Sequence, residues 1–379
     1  MSVLTTPADV AAAADEWDEL ERRSNQVSFF QSSAWSMLAC RIFHQLYGRD
    51  FKPLVVTVRR GCELVAVAPF RIIKTGPIRL ATDLTDPFGQ YSGILIAGDV
   101  NADTVVAEII AVLRSTAGVD GLFLRRVRAD SPAYAALMCR GFAASATDAA
   151  PFIDLQPCRS FEDYQKTVNV KSRKNLRNLR NRMARLAPVT HRVAVGDGVR
   201  RIIDESFEGR LRWLDEHGIP SMAFGHPAFG ALLVGIRNLA RRGDFSILAM
   251  GLYCGETPVS LQWGFIHRDR YYAYIAARNP EYDAYSPGRL HLEDVIRTCF
   301  ERGIGTCDFL APAARYKLTW TEQATEVVDI AVPFTIIGRL WLDVWNRRLR
   351  PAIKSRYSQL PLWLRRRIRR ITTDSPSAT

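Results

Sequence analysis

A chain of 379 residues has room for roughly two domains. With 47% hydrophobic and 24% charged residues its composition is globular, which excludes intrinsic disorder and collagen-like or low-complexity scaffolds. The net charge of +12 is concentrated: residues 171–185 hold seven Lys or Arg and no acid, residues 336–379 carry +9, and the remainder is slightly acidic.

The first residues show no basic cluster ahead of an apolar block and soon turn acidic (Asp15, Glu16, Asp18, Glu19), so a cytoplasmic protein is expected. Helical spacing covers Ala34 to Tyr47. Leu54 to Phe70 then reads as a hairpin, with its turn at Arg59–Glu63. A further strand, an irregular loop (Asp83 to Gly93), a helix and a short strand over Gly118–Leu124 follow. The same order returns in the second half: a helix over Pro227–Arg241, a hairpin over Phe245–Phe265 turning at Tyr253–Thr257, a strand Arg270–Ala276, a loop, a helix and a strand in Gly303–Leu310. This repeat implies an α+β protein of two mixed domains with one topology. The expected boundaries are 1–160, a basic linker helix 161–190, 191–335, and a tail 336–379.

The two halves differ in the loop before the last helix. In the second half Ser286 suits an N-cap and Pro287 a first helical position. Gly288 leaves the backbone N–H groups approachable, and Arg289 stands where a capping box would have Glu or Gln. A cation at the positive end of a helix dipole suits a bound anion such as a phosphate, although Arg289 beside an ordinary cap is an equally open reading. The first half has no Pro-Gly-Arg, so only the second is expected to hold a diphosphate.

The seven cysteines form no C-x-x-C pair, which argues against a disulfide framework and a zinc site; reduced, mostly buried thiols and no metal are expected. The longest apolar stretch, Ala331–Leu342, is broken by Arg339 and falls short of the roughly 20 residues a membrane span needs. G-x-S-x-G, H-E-x-x-H, P-loop and Rossmann motifs do not occur, so hydrolase, zincin and nucleotide-fold readings lose their main support.

Several short motifs, in order, resemble the GNAT acyltransferase superfamily, in its CelD-like or polysaccharide-biosynthesis acetyltransferase branch, related to the Fem peptidyltransferases. They are Phe30-Gln31-Ser32-Ser33-Ala34-Trp35, Val67-Ala68-Pro69-Phe70, Ser172-Arg173-Lys174-Asn175-Leu176-Arg177, Arg212-Trp213, Ser286-Pro287-Gly288-Arg289-Leu290, Asp308-Phe309-Leu310 and Tyr316-Lys317 followed by Trp320. The resemblance implies tandem GNAT-like domains, a mixed sheet flanked by helices in each, and acyl-CoA or acetyl-CoA as co-substrate. The pantetheine arm would lie on the strand carrying Tyr274 and Ala276, and the phosphates at Ser286, Gly288 and Arg289. The usual GNAT phosphate loop is shortened here to the Pro-Gly-Arg turn. Transfer by direct attack in a ternary complex needs no Ser or Cys nucleophile.

Proton transfer then has three candidates, His267, Asp308 and Tyr316, and Lys317 is the catalytic candidate to orient or neutralise an anion. Each has an ordinary alternative: a turn residue for His267, a backbone or basic partner for Asp308, a packing and salt-bridge pair for Tyr316 and Lys317. Arg212 and Trp213 are candidates for an acceptor pocket, with Trp213 in a core as the alternative.

Around residues 171–185, Leu176 and Leu179 separate from the arginines, so this helix is either a solvated face or an attractor for an anionic acceptor or the donor's phosphates. In the tail, Leu342, Trp345, Leu349 and Ile353, then Leu364, Ile368 and Ile371, recur at helical spacing among arginines, with Trp341 and Trp363 nearby. This basic amphipathic helix suits an anionic membrane surface at the inner face of the cell membrane, or docking on the protein body or a partner chain; nucleic acid ranks last. The expected acceptor is a membrane-associated lipid amine, acylated as in ceramide-type chemistry, or a polysaccharide or sugar. A catalytically silent GNAT pair serving an envelope-biosynthesis complex is the alternative from a different class.

Overall fold

The computed structural model describes residues 1–145, 147–242 and 246–365. In chain order its first elements are β1 (Ser2–Leu4), α1 (Pro7–Ala12), α2 (Ala14–Arg23), α3 (Ser33–Tyr47), β2 (Lys52–Arg60), β3 (Glu63–Thr75), β4 (Ile78–Asp83), β5 (Leu95–Ile96), α4 (Ala102–Ser115), β6 (Gly121–Arg128), α5 (Tyr134–Arg140) and β7 (Phe142–Ala143). There follow β8 (Asp148–Asp154), α6 (Phe161–Thr167), α7 (Val170–Met183), β9 (Val189–Val193), α8 (Asp197–Glu216), α9 (Ala228–Arg242), β10 (Ser246–Cys254), β11 (Thr257–His267), β12 (Arg270–Arg278), α10 (Pro287–Glu301), β13 (Thr306–Asp308) and β14 (Ala324–Pro333). The tail is α11 (Ile336–Leu340), a π-helical stretch over Trp341–Leu349, and α12 (Arg350–Gln359).

The expected repeat is present element for element. Hairpins β2–β3 and β10–β11 each turn on a glycine with positive φ, Gly61 and Gly255, a conformation only glycine reaches without strain. In each half the next strand continues the meander, a helix follows, and the strand after that helix returns parallel: β4 with β6, and β12 with β13. The other pairings are antiparallel. The strand order is β1-β2-β3-β4-β6-β14 in the first half, with β5 on β3 and β7 on β14, and β8-β13-β12-β11-β10-β9 in the second.

The chain divides into two compact units that do not follow the expected boundaries: residues 1–148, 218–235 and 326 onward form one, and 149–217 with 236–325 the other. Segment 161–190 is no free linker. Its α6 and α7 bury Phe161, Tyr164, Leu176, Leu179 and Met183 in the second unit's core, against Leu290, Val295 and Ile296 of α10. Burying each such side chain contributes about 1.5–3 kcal/mol, so the segment is part of that domain. Residues 218–235 join the first unit because Phe229 stacks on Phe88 at 5.3 Å, and Phe88 on Phe43 at 5.5 Å.

The tail departs from a single amphipathic helix. Leu342 is fully buried beside Ile78, Leu80, Phe123 and Ala331, with Trp341 against the same cluster. Ile336 (81% exposed), Ile337, Leu340, Leu349, Ile353 and Trp363 (66%) are exposed. The side chains of Trp345, Arg347, Arg350 and Lys354, and residues Arg366, Arg367, Ile368, Arg369, Arg370 and Ile371, lie outside those described. Among the described residues no helix is long and apolar enough to cross a membrane. The cysteines are free thiols, with Cys40, Cys254, Cys299 and Cys307 buried and Cys62 and Cys139 exposed.

Candidate active site

The second unit's site begins where two strands separate. β12 and β13 pair through Arg270–Thr306, Tyr271–Cys307 and Tyr272–Asp308, and among the described residues their pairing ends there while β12 continues to Arg278. The partner on the other side, β11, stays paired along the same stretch. Backbone groups of residues 273–278 are thereby left on one edge, an arrangement that receives an extended chain as an added strand would be received. A bulge in β11 sits at the same level, between Trp263 and Phe265. Gly264 occupies it because a Cβ would collide with the Tyr272 carbonyl. Ala276 is exposed on the free stretch, while the Tyr274 ring packs on Trp263 and Phe265 at 5.3 and 5.2 Å, so Tyr274 offers the slot its backbone.

From β12 the chain makes a 3₁₀ turn over Pro280–Tyr285, capped by the Asn279 side chain, and enters α10. Ser286 occupies the N-cap position but not as a conventional cap: its φ is +51°, its side chain makes no capping bond, and its carbonyl accepts from Arg289 N at 2.9 Å and Leu290 N at 3.3 Å. Pro287 brings no N–H. Among the described residues the Gly288 N–H has no hydrogen-bond partner, and the Arg289 guanidinium has neither ion pair nor hydrogen bond. A Cβ built on Gly288 meets nothing within 4 Å, so neither packing nor backbone angle demands glycine there. An open position, a free N–H, an unpaired guanidinium and the positive end of a four-turn helix together make an anion cradle. The corresponding helix of the first unit lacks one: Asn101 caps α4 through Thr104 N at 3.0 Å, and Asp103 occupies its first turn.

The proposed proton-transfer residues separate. Asp308 is fully buried where the strands part, held by Arg270 at 3.1 Å and by the Leu310 N–H at 2.9 Å. Those bonds suit fixing the divergence more than moving a proton. Lys317 is buried and donates to the carbonyls of Leu310 (2.8 Å) and Pro312 (2.9 Å), which makes it the clasp of the loop after β13. His267 pairs with Arg270 at the start of β12, the opposite end from the free stretch, and so lies away from the slot.

Tyr316 is 42% exposed, within electrostatic reach of Arg210. On α8, Gly209 faces Ala277 of β12. Arg210 lies 4.3 Å over the Trp213 ring, which also stacks on His217 at 4.7 Å. Arg212 is exposed, 3.9 Å from Glu208, and its guanidinium lies beside Gly209, 3.9 Å from where a Cβ there would stand. The helix therefore brings Arg210, which sequence reasoning did not single out, together with Trp213 and Tyr316 beside the free end of β12, with Arg212 next to Gly209 on the same helix. Burial lowers the Arg210 pKa, with Tyr316 opposing and Arg278 adding to the shift.

Sequence reasoning also missed a buried polar group on α10. His291 Nδ1 lies 3.0 Å from the Ser260 hydroxyl, with His191 5.6 Å from its ring. Burial holds the His291 imidazole well below its ordinary pKa and His191 at about 4, Arg180 adding to both. Nothing short of the paired fold relates positions 191, 260 and 291. Among the described residues no three His, Cys, Asp or Glu are placed to hold a metal ion.

Residues 170–318 match the acetyltransferase (GNAT) domain family. Three solved structures share the fold at low sequence identity. FemX is 11% identical, with a TM-score of 0.60 over 87% of this chain and 98% of its own. The C-terminal DUF2156 domain of a protein described as a lysylphosphatidylglycerol synthetase, from Agrobacterium fabrum, is 13% identical with a TM-score of 0.54, covering 90% of this chain and 96% of that one. A tandem GNAT protein from the clavulanic acid biosynthesis pathway is 12% identical with a TM-score of 0.51, over 88% and 98%. No curated relative matches the sequence.

Proposed function

We infer that this chain, whose residues 170–318 match the acetyltransferase (GNAT) domain family, is an acyltransferase whose second unit takes an acyl-CoA donor and passes its acyl group to an amine or hydroxyl acceptor. The reading rests on one observation above all: among the described residues nothing requires Gly288 to be a glycine, and it stands beside a free N–H and an unpaired Arg289. Gly288, Arg289 and the N-terminus of α10 would hold the diphosphate, and the edge of β12 from Ala273 to Arg278, including Tyr274 and Ala276, the pantetheine arm. The donor supplies an activated thioester. The chain's own residues then do the rest: Asp308 and Lys317 keep the strands apart, and Arg210, Trp213 and Tyr316 stand where an acceptor would approach, with the Tyr316 hydroxyl the candidate to return a proton to the departing thiolate. No enzyme nucleophile is needed, because the acceptor attacks the thioester carbonyl directly.

Calorimetry with acetyl-CoA and longer acyl-CoAs on Gly288→Glu and Arg289→Ala tests the donor site. The expected result is loss of binding in the first and weakening in the second; unchanged affinity in both would remove it. Release of thiol from acyl-CoA, followed with a thiol reagent, separates an enzyme from a silent accessory module.

The acceptor reading is a membrane-associated lipid amine or envelope glycan at the cytoplasmic face. It is supported by the exposed apolar residues Ile336, Ile337, Leu340, Ile353 and Trp363 beside basic ones, a pattern suited to the headgroup region. One similar structure comes from a protein named for a phospholipid product. Truncating at Thr335 would also remove buried Leu342, so the test is Ile336→Ser, Ile337→Ser and Leu340→Ser together. Cosedimentation with anionic liposomes should fall, and undiminished binding would end the membrane reading.

A further inference from the structure

Helix α7 carries Lys171, Arg173, Lys174 and Arg177 in its first two turns and no acid. Cations there face the positive end of the helix dipole, an unfavourable placement unless an anion compensates them. Arg173, Lys174 and Arg177 line a cavity of about 530 Å³ whose other wall is α10, with Glu293 and Asp294. That volume is within the range of small-ligand pockets.

The carboxylates in that wall are already engaged. Asp294 takes Arg180 at 2.8 Å; Glu293 lies 3.6 Å from Arg180 and accepts from Gln165 at 2.8 Å. Arg297, also lining the cavity, is paired with Glu162 at 3.0 Å. Among the described residues, then, Arg173, Lys174 and Arg177 have no ion-pair partner, and the Arg173 Nε–H is buried without an acceptor. Desolvating such a donor is costly, and more so when it is charged, unless something pairs with it.

We propose that this cavity is a phosphate-ester site, distinct from the Gly288–Arg289 turn and independent of the donor reading. Two guanidinium forks and one ammonium match the several oxygens of a phosphate better than a single carboxylate. Glu293 and Arg297 lie four and eight residues beyond Arg289 on α10, about 6–12 Å along its axis. Two sources carry the group at that range: the 3′-phosphate of a CoA donor seated at the turn, or a phosphorylated acceptor.

Inorganic pyrophosphate is the probe, titrated into the full chain bearing Gly288→Glu so that the turn cannot take it. One site is expected, its affinity falling with salt. Adding Arg173→Ala, Lys174→Ala and Arg177→Ala should weaken it at least tenfold at unchanged Tm. Should the triple variant fail to fold, Lys174→Ala and Arg177→Ala alone, both on exposed residues, should each weaken it about threefold. Absence of pyrophosphate binding to Gly288→Glu, or unchanged affinity in the folded variants, overturns the proposal. With the turn intact, loss of CoA affinity but not of 3′-dephospho-CoA affinity in the triple variant assigns the site to the donor's phosphate. Unchanged affinity for both, alongside lost pyrophosphate binding, assigns it to an acceptor's. Failure of the donor reading would be seen separately, as CoA binding that Gly288→Glu leaves intact.

Discussion

Gly288→Ala should move stability and donor binding in opposite directions. The position is helical with ordinary φ, and the new methyl meets no atom of the chain within 4 Å. Replacing glycine at such a site restricts the unfolded chain and stabilises the fold by about 0.5 kcal/mol, reduced somewhat because the residue lies in the first turn. The same methyl stands where an anion would meet the free Gly288 N–H. Loss of one hydrogen bond to a charged group costs about 1.5–3 kcal/mol, or about 10- to 150-fold in affinity. Urea denaturation should therefore give an unchanged or slightly raised midpoint, while calorimetric Kd for acetyl-CoA rises at least tenfold. Arg289→Ala supplies the control, since it loses no partner among the described residues: its midpoint should stay within experimental scatter and its Kd should rise similarly. A Gly288→Ala protein that is less stable and binds acetyl-CoA as before would refute the reasoning, because the glycine would then serve packing.

Asp83 is fully buried, its Oδ1 accepting from the Thr85 N–H and hydroxyl, and burial pushes its carboxyl up to about 7. A raised carboxyl favours folding below the unfolded value near 3.8 and loses that contribution as pH rises through about 7, so Asp83→Asn should gain stability over the wild type, by up to about 4 kcal/mol at pH 8 and little at pH 4. His191 and His226 run the other way: burial holds both at about 4, so each stabilises above pH 6.5 and withdraws that support as pH falls towards 4, by about 1–2 kcal/mol each. Denaturation at pH 7.5 and pH 5 should show a smaller difference in His191→Gln and His226→Gln than in the wild type. Lys317→Met leaves the buried carbonyls of Leu310 and Pro312 unpaired and should cost about 2–4 kcal/mol in chemical denaturation, with acetyl-CoA affinity of the folded protein within about twofold.

What could be read along the chain was what depends on near neighbours. The repeated order of helix, hairpin, strand, helix and strand was legible because hairpins turn on Gly61 and Gly255, and helices declare themselves by periodicity over a dozen residues. The unusual start of α10 was legible for the same reason, since Ser286 to Arg289 are consecutive. Tertiary structure decided whatever required distant segments to meet. That Lys317 clasps Leu310, that Phe229 completes an aromatic stack with Phe88 and Phe43, and that Leu342 enters a core with Phe123 follow from pairings no local pattern encodes. That Arg210 of α8 meets Tyr316 while Gly209 faces Ala277 depends on the sheet beneath the helix, which no local pattern encodes. The parting of β12 from β13 is likewise invisible in either strand alone, because it is a property of where one ends beside the other.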